Sequence, residues 1–206
     1  MRKITAGLFI SLDGVVEDPQ DWHFPYFNEE MGEAVDGQLG SADTLLLGRR
    51  TYDSFAGAWP DREKAGGEDA EFARKLGDAR KIVVSGQELQ FSWRNSELLR
   101  GDLVEAVTAL KNEPSTSDIG MSGSVSVVRQ LLEAGLLDEL HLLVHPIAMR
   151  KGMRLFEDAD TPLPLKLISS TTFTTGVVHL VYALDEDAPT GDYEKAKASL
   201  PKTDTE

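Results

Sequence analysis

The chain has 206 residues, which fits one domain on the usual scale of roughly 100 to 200 residues each. Its composition, 41% apolar and 27% charged, is that of an ordinary globular chain with core enough to enclose a ligand cleft. Thirty-five acidic against 21 basic residues give a formal charge of −14, which repels nucleic acid and anionic lipid. With no cysteine, disulfides, thiolate metal sites, cysteine nucleophiles and the Cys/His zinc centre of nucleobase deaminases are all excluded.

The first ten residues carry two charges and a short apolar run with no small-residue cleavage site, so a cytoplasmic location is expected. No stretch of 18 apolar residues occurs, and no membrane span is expected. Ile4 to Leu12 reads as the first strand, and Phe27 to Leu39 as a helix with Asn28 near its start and Gly40 past its end. Thr44 to Leu47 is the next strand. Gly57 to Gly67 reads as a long surface loop, either a lid or an insertion. Glu68 to Leu76 puts Phe72, Ala73 and Leu76 on one helical stripe that stops at Gly77. Lys81 to Ser85 is a strand. Asp102 caps a helix to Lys111, and Asp118 to Met121 is a strand. Ser124 to Ala134 is a helix closed by Gly135, and Glu139 to Ile147 is a strand. Leu165 to Thr174 and Val177 to Leu184 flank Thr175-Gly176, a tight hairpin that adds an antiparallel edge. Helices alternating with apolar strands predict an α/β sheet with a largely parallel core over residues 1–185, followed by a polar, mobile tail over 186–206.

Gly48-Arg49-Arg50-Thr51 leads from a strand into a helix, where unpaired N–H groups and the positive helix end suit a phosphate. The two guanidinium groups can add bidentate hydrogen bonds. As merely solvated first-turn side chains they would oppose the helix dipole. Gly120-Met121-Ser122-Gly123-Ser124 is a second turn of the same kind, read either as an anion site or as an ordinary loop capped by Ser124. Ligands in open α/β sheets sit at the carboxyl ends of strands, so two such turns suit a dinucleotide. Asp13 ends the first strand, either facing that cleft or forming a structural Asp13-Gly14 turn. Trp22 is either a pocket wall or core packing. His23, His141, His145 and His179 lack metal spacing; on one strand, His141 and His145 stand about 13 Å apart. There is no GxSxG elbow and no Walker lysine.

SLDG (11–14), Trp22, LLLGRRTY (45–52), KIVVS (81–85), the Gly123-Ser124 turn and GLLDELHLLVHPI with KGMRLF (135–156) occur in that order. In this the chain resembles the dihydrofolate-reductase-like superfamily, on the branch of the C-terminal reductase domain of bifunctional riboflavin-biosynthesis proteins, over roughly residues 2 to 184. The resemblance implies a three-layer α/β fold whose mixed, mostly parallel sheet ends in an antiparallel hairpin. It also implies an NADPH-dependent reductase of a small heteroaromatic or carbonyl substrate, similar to the 5-amino-6-(5-phosphoribosylamino)uracil reductase of riboflavin biosynthesis. In that frame Gly48, Arg49, Arg50 and Thr51 grip the 2′-phosphate and pyrophosphate, and Ser85 lies beside the adenine ribose. Met121, Gly123, Ser124 and Val125 form the turn under the pyrophosphate. Asp13 orients substrate or relays a proton, and Gly14, Trp22 and Phe27 border the substrate.

Two departures matter. Where dihydrofolate reductases carry an acid, five positions after the Trp22 of a Trp-x-x-Pro motif, this chain has Phe27. The glycine-flanked segment before Arg154-Leu155-Phe156 reads Met149-Arg150-Lys151-Gly152, and no deaminase domain is expected. A non-catalytic NADPH-binding or assembly protein, a dihydrofolate reductase with an altered acid, and a flavin- or nucleotide-binding α/β domain are the competing readings. Leu142, Val144 and Val178 form either a homodimer face or part of one monomer core.

Overall fold

The run Thr-Leu-Leu-Leu-Gly of β2 (Thr44–Gly48) is buried along its whole length, as befits a parallel strand covered on both faces. The computed structural model describes residues 1–185 together with 187 and 188. Strand β2 lies inside a single eight-stranded sheet with β1 (Ile4–Ser11), β3 (Arg80–Val84), β4 (Ser96–Leu98), β5 (Ile119–Met121), β6 (Glu139–His145), β7 (Leu165–Thr172) and β8 (Val178–Leu184). The strand order is β4-β3-β2-β5-β1-β6-β8-β7. Every neighbouring pair from β4 to β6 is parallel, and β8 runs antiparallel to both β6 and β7.

Among the described residues five α-helices cover the two faces: α1 (Glu29–Val35), α2 (Arg49–Ala65), α3 (Ala70–Asp78), α4 (Leu103–Lys111) and α5 (Val125–Glu133). Because strand side chains alternate, Leu46 packs with Ile4, Ala6, Leu8 and Ile10 of β1 against Val107 of α4 and Val128 and Leu131 of α5. Leu45 and Leu47 point the other way, toward Tyr52 of α2 and Leu76 of α3. Met31 of α1 packs on that second face near the far edge, with Leu143, Phe173 and Val177. Three layers result.

Local chemistry explains the helix ends. Asn28 Oδ1 accepts from Met31 N at 3.0 Å, and Asp102 Oδ1 accepts from Val104 N and Glu105 N at 2.9 and 3.1 Å. The first helix therefore begins after Phe27, and it runs on as a π turn over Asp36–Gly40 that lets Gln38 donate to Thr5 O at 2.9 Å. Lys81, with no exposed surface, donates to the carbonyls of Leu76, Gly77 and Ala79 at 3.0, 2.8 and 2.7 Å and so closes α3.

One expectation changes, and two details are added. Residues 57–65 are not loop: α2 continues to Ala65 through Pro60 and stops at Gly66, φ +64°. The proline forfeits one hydrogen bond. The helix holds because Trp59 meets Phe55 at 6.0 Å and Phe72 of α3 at 5.2 Å. Strand β4, too short and polar for the strand pattern, forms on the edge beside β3. Leu142 is buried in the main core, and Val144, partly buried, packs against that core. The tail expected from residue 186 onward lies outside the described residues, apart from 187 and 188.

Candidate active site

A cleft of about 1920 Å³ opens where β2, β3 and β5 end, lined by Gly48, Ser85 and Gly123 among others. Its closed corner is built from the two glycine turns. Neighbouring β2 and β5 deliver Gly48 and Gly123 side by side, and each turn feeds a helix, α2 and α5. A Cβ on Gly48 would lie 2.0 Å from Ser124 Oγ, so only glycine lets the turns approach this closely. Ser124 stands at the cap position of α5 without capping it. Its hydroxyl instead meets Thr51 Oγ1 at 3.1 Å. The peptide between Gly123 and Ser124 is cis.

Two helix N-termini thus converge on one point, each with unpaired N–H groups and partial positive charge. Arg49 and Arg50 are exposed on the same rim. Arg49 donates to Gln87 Oε1 and lies 3.5 Å from Asp53, while Arg50 forms no ion pair among the described residues. Ser85 Oγ donates to Gln87 O at 3.0 Å, which holds the strand end folded beside Arg49. Helix-start N–H groups with guanidinium groups nearby are chemically suited to anionic groups in general.

The expected residues divide cleanly. Gly48, Arg49, Arg50, Thr51, Ser85, Gly123, Ser124, Val125 and Phe27 all line the one cleft. Asp13, Gly14, Trp22 and Met121 do not. Asp13 accepts from Ser11 Oγ at 2.7 Å, Met149 N at 2.9 Å and Arg150 N at 2.8 Å, with Arg154 at 3.8 Å. The Ser11 hydroxyl and those backbone donors hold its carboxyl down to about 2. It is therefore the structural end of a turn, with Gly14 at φ +85°, and a poor proton donor at neutral pH. Trp22 is 5% exposed and donates Nε1 to Glu17 O at 3.0 Å, so it packs the core. Met121 is wholly buried.

Histidines supply what the motif pattern missed. His23 and Phe9 line the cleft, stacked with ring centres 4.3 Å apart and planes 10° off parallel. Burial, reinforced by His145, pushes the His23 imidazole down to about 4. Pairing of Leu143 with His179 brings His141 and His179 diagonally together on one sheet face. Their Nδ1 and Nε2 meet at 3.1 Å in the cleft, and burial lowers both imidazoles. Only the four-residue spacing of His141 and His145 along β6 was visible in the sequence; the approach of His179 from β8 was not. Among the described residues no group of three or more ligands could hold a metal, and no helix is long and apolar enough to cross a membrane.

The family described as the RibD C-terminal domain matches residues 2–179. The chain belongs to it. Within the same sequence neighbourhood is the uncharacterized protein YyaP of Bacillus subtilis, 30% identical over 190 residues, covering 88% of this chain and 94% of YyaP. A putative riboflavin biosynthesis protein from Shewanella sp. PV-4 superposes with TM-score 0.69 at 20% identity, over 90% of this chain and 99% of its own. Dihydrofolate reductase from Enterococcus faecalis, complexed with NADP(H) and RAB-propyl, superposes with TM-score 0.59 at 15% identity, over 89% and 97%. The fold of this RibD C-terminal family member is therefore dihydrofolate-reductase-like, as the motif order implies.

Proposed function

We propose that the chain is an NADPH-dependent reductase of a small planar heteroaromatic or carbonyl substrate. The observation that carries this reading is the contact of the two glycine turns, Gly48 against Ser124, at the closed end of one cleft. The complex of the Enterococcus reductase with NADP(H), on the same fold, supports it. When bound, NADPH supplies a hydride, and the substrate takes its second hydrogen as a proton. The protein's own part is positional. The N–H groups opening α2 and α5 hold a diphosphate, Thr51 and Ser124 hydroxyls border it, and Arg49 and Arg50 meet a 2′-phosphate at the rim. Focused positive charge of this kind is needed because the chain as a whole is at −14.

Phe9, Phe27 and Leu143 wall the opposite part of the cleft and exclude water from the acceptor. Asp13, turned to the 149–154 loop, does not replace the acid missing at Phe27, and in this reading the proton comes from water. The test is cofactor discrimination. Titration of intrinsic fluorescence should show Arg49→Ala and Arg50→Ala weakening NADPH about ten- to hundredfold in combination while NADH is spared. Equal losses for both cofactors would remove the 2′-phosphate assignment, and no NADPH binding by the unaltered chain would remove the reductase reading.

A further inference from the structure

The substrate half of the cleft holds one polar group with nothing to do. His23 is 6% exposed, and its Nδ1 is buried without any hydrogen-bond partner. The ring cannot swing to find one. Phe9 stacks on it at 4.3 Å, Phe24 lies at 4.2 Å, and Phe27 and His145 each present an edge at 6.1 Å. Its backbone is pinned between turns, with its N–H donating to Pro19 O at 2.9 Å and its carbonyl accepting from Tyr26 N at 3.0 Å.

A neutral imidazole carries one proton on two nitrogens. A buried N–H with no acceptor costs more than a buried lone pair, since carbonyl-like acceptors tolerate neglect better than donors. The proton therefore sits on Nε2, the nitrogen not sealed in the wall. Burial keeps the ring uncharged at neutral pH. The cleft thus offers a fixed N–H donor, with no positive charge, beside the exposed face of Phe27.

The remaining cations of the cleft beyond the glycine corner are already committed. Arg62 pairs with Asp69, Lys75 with Asp36 and Arg129 with Glu157. A phosphorylated substrate would find no uncommitted cation among these.

Resting on the reductase reading above, we propose that His23 is the substrate-binding residue of the cleft, donating Nε2–H to a ring carbonyl or ring nitrogen of an uncharged planar substrate. The class of substrate follows: a quinone-like or lactam-like ring without a phosphate or carboxylate at that end.

The experiment uses the full chain saturated with NADP⁺, with 1,4-naphthoquinone as the uncharged probe and 1,4-naphthoquinone-2-sulfonate as its anionic counterpart. The absence of cysteine keeps the quinone from thiol addition. Nitrogen-15 spectra of the imidazoles at pH 7, assigned by loss of one signal in His23→Phe, should show His23 neutral and protonated at Nε2. Naphthoquinone should shift that signal, and the sulfonate should bind about tenfold more weakly or not at all. His23→Phe should weaken naphthoquinone about three- to tenfold while NADPH affinity stays within twofold; His23→Gln, which keeps an N–H donor, should recover most of it. A proton on Nδ1, a charged ring, equal affinity for the two probes, no naphthoquinone binding, or unchanged affinity in His23→Phe each overturns the proposal. Should His23→Phe fail to fold, the unaltered chain's tautomer and the Gln variant's affinity still decide it. Loss of NADPH binding by the unaltered chain is a separate result, and it strikes the reductase reading instead.

Discussion

Replacing Gly48 by alanine tests whether the two turns are as tightly joined as the cleft requires. The new Cβ would stand 2.0 Å from Ser124 Oγ, 2.6 Å from Ser124 Cβ and 3.6 Å from Val127 Cγ2. Rotating the hydroxyl away does not relieve the contact with Cβ, so backbone must move. Gly48 has φ −76° and ψ 161°, which alanine adopts freely, so the penalty is steric and not conformational. Overpacking of this kind costs about 1–3 kcal/mol, and at this chain length each kcal/mol lowers the melting temperature by about 2–4 °C. A loss of about 2–12 °C is expected by thermal denaturation, with weaker NADPH binding because the corner opens. Ser124→Gly removes the opposing side chain, so the double variant should lose less than the sum of the singles, by about 0.5–3 kcal/mol. Gly57→Ala is the control. Its Cβ meets nothing within 4 Å inside α2, and it should gain about 0.5–1 kcal/mol. If Gly48→Ala melts within about 0.5 kcal/mol of the unaltered chain, or adds simply to Ser124→Gly, the contact between the turns is not what shapes the site.

Asp13→Asn should leave NADPH affinity within twofold and lower stability at pH 7. Its carboxyl, held at about 2 in the fold against about 3.9 unfolded, stabilises above pH 4 and loses that effect as pH falls toward 2. The gap between variant and unaltered chain in urea midpoints should therefore close over that window. His23 titrates at about 4 in the fold against about 6.5 unfolded, so unfolding takes up a proton and stability falls as pH drops from 6.5 to 4. In His23→Phe that slope should be shallower by up to about 1.4 kcal/mol per pH unit; an unchanged slope would mean that His23 is charged in the fold. Lys81→Met leaves the carbonyls of Leu76, Gly77 and Ala79 without their shared donor and removes the ammonium 4.3 Å from the Trp93 ring. The unfolding free energy from urea titration should fall by about 1–3 kcal/mol with the slope unchanged, and retention of stability would show the carbonyls satisfied otherwise.

The two strand–glycine–helix turns were legible because a strand, a glycine and a helix start are local events, read within a few residues around Gly48 and Gly123. The same locality made Asn28 and Asp102 legible as helix caps. It misled at Gly57 to Gly67, where Pro60 and three glycines outweigh, in sequence, the packing of Trp59 on Phe72 across two helices. It was silent on Asp13, whose choice between cleft and turn was made by Met149 and Arg150, 136 and 137 residues away.

From its own residues the chain dictates alternating elements, a buried parallel core, a terminal antiparallel pair and two strand–glycine–helix turns. These arise from backbone preference and apolar periodicity, which act over one or two turns of chain. Only the assembled sheet settled that β5 inserts between β2 and β1, bringing Gly48 to within contact of Ser124. It also enclosed His23 among aromatic rings and set His141 against His179. Such meetings depend on strand order and cross-strand register, and those are chosen by the whole core competing to bury its surface rather than by any short segment.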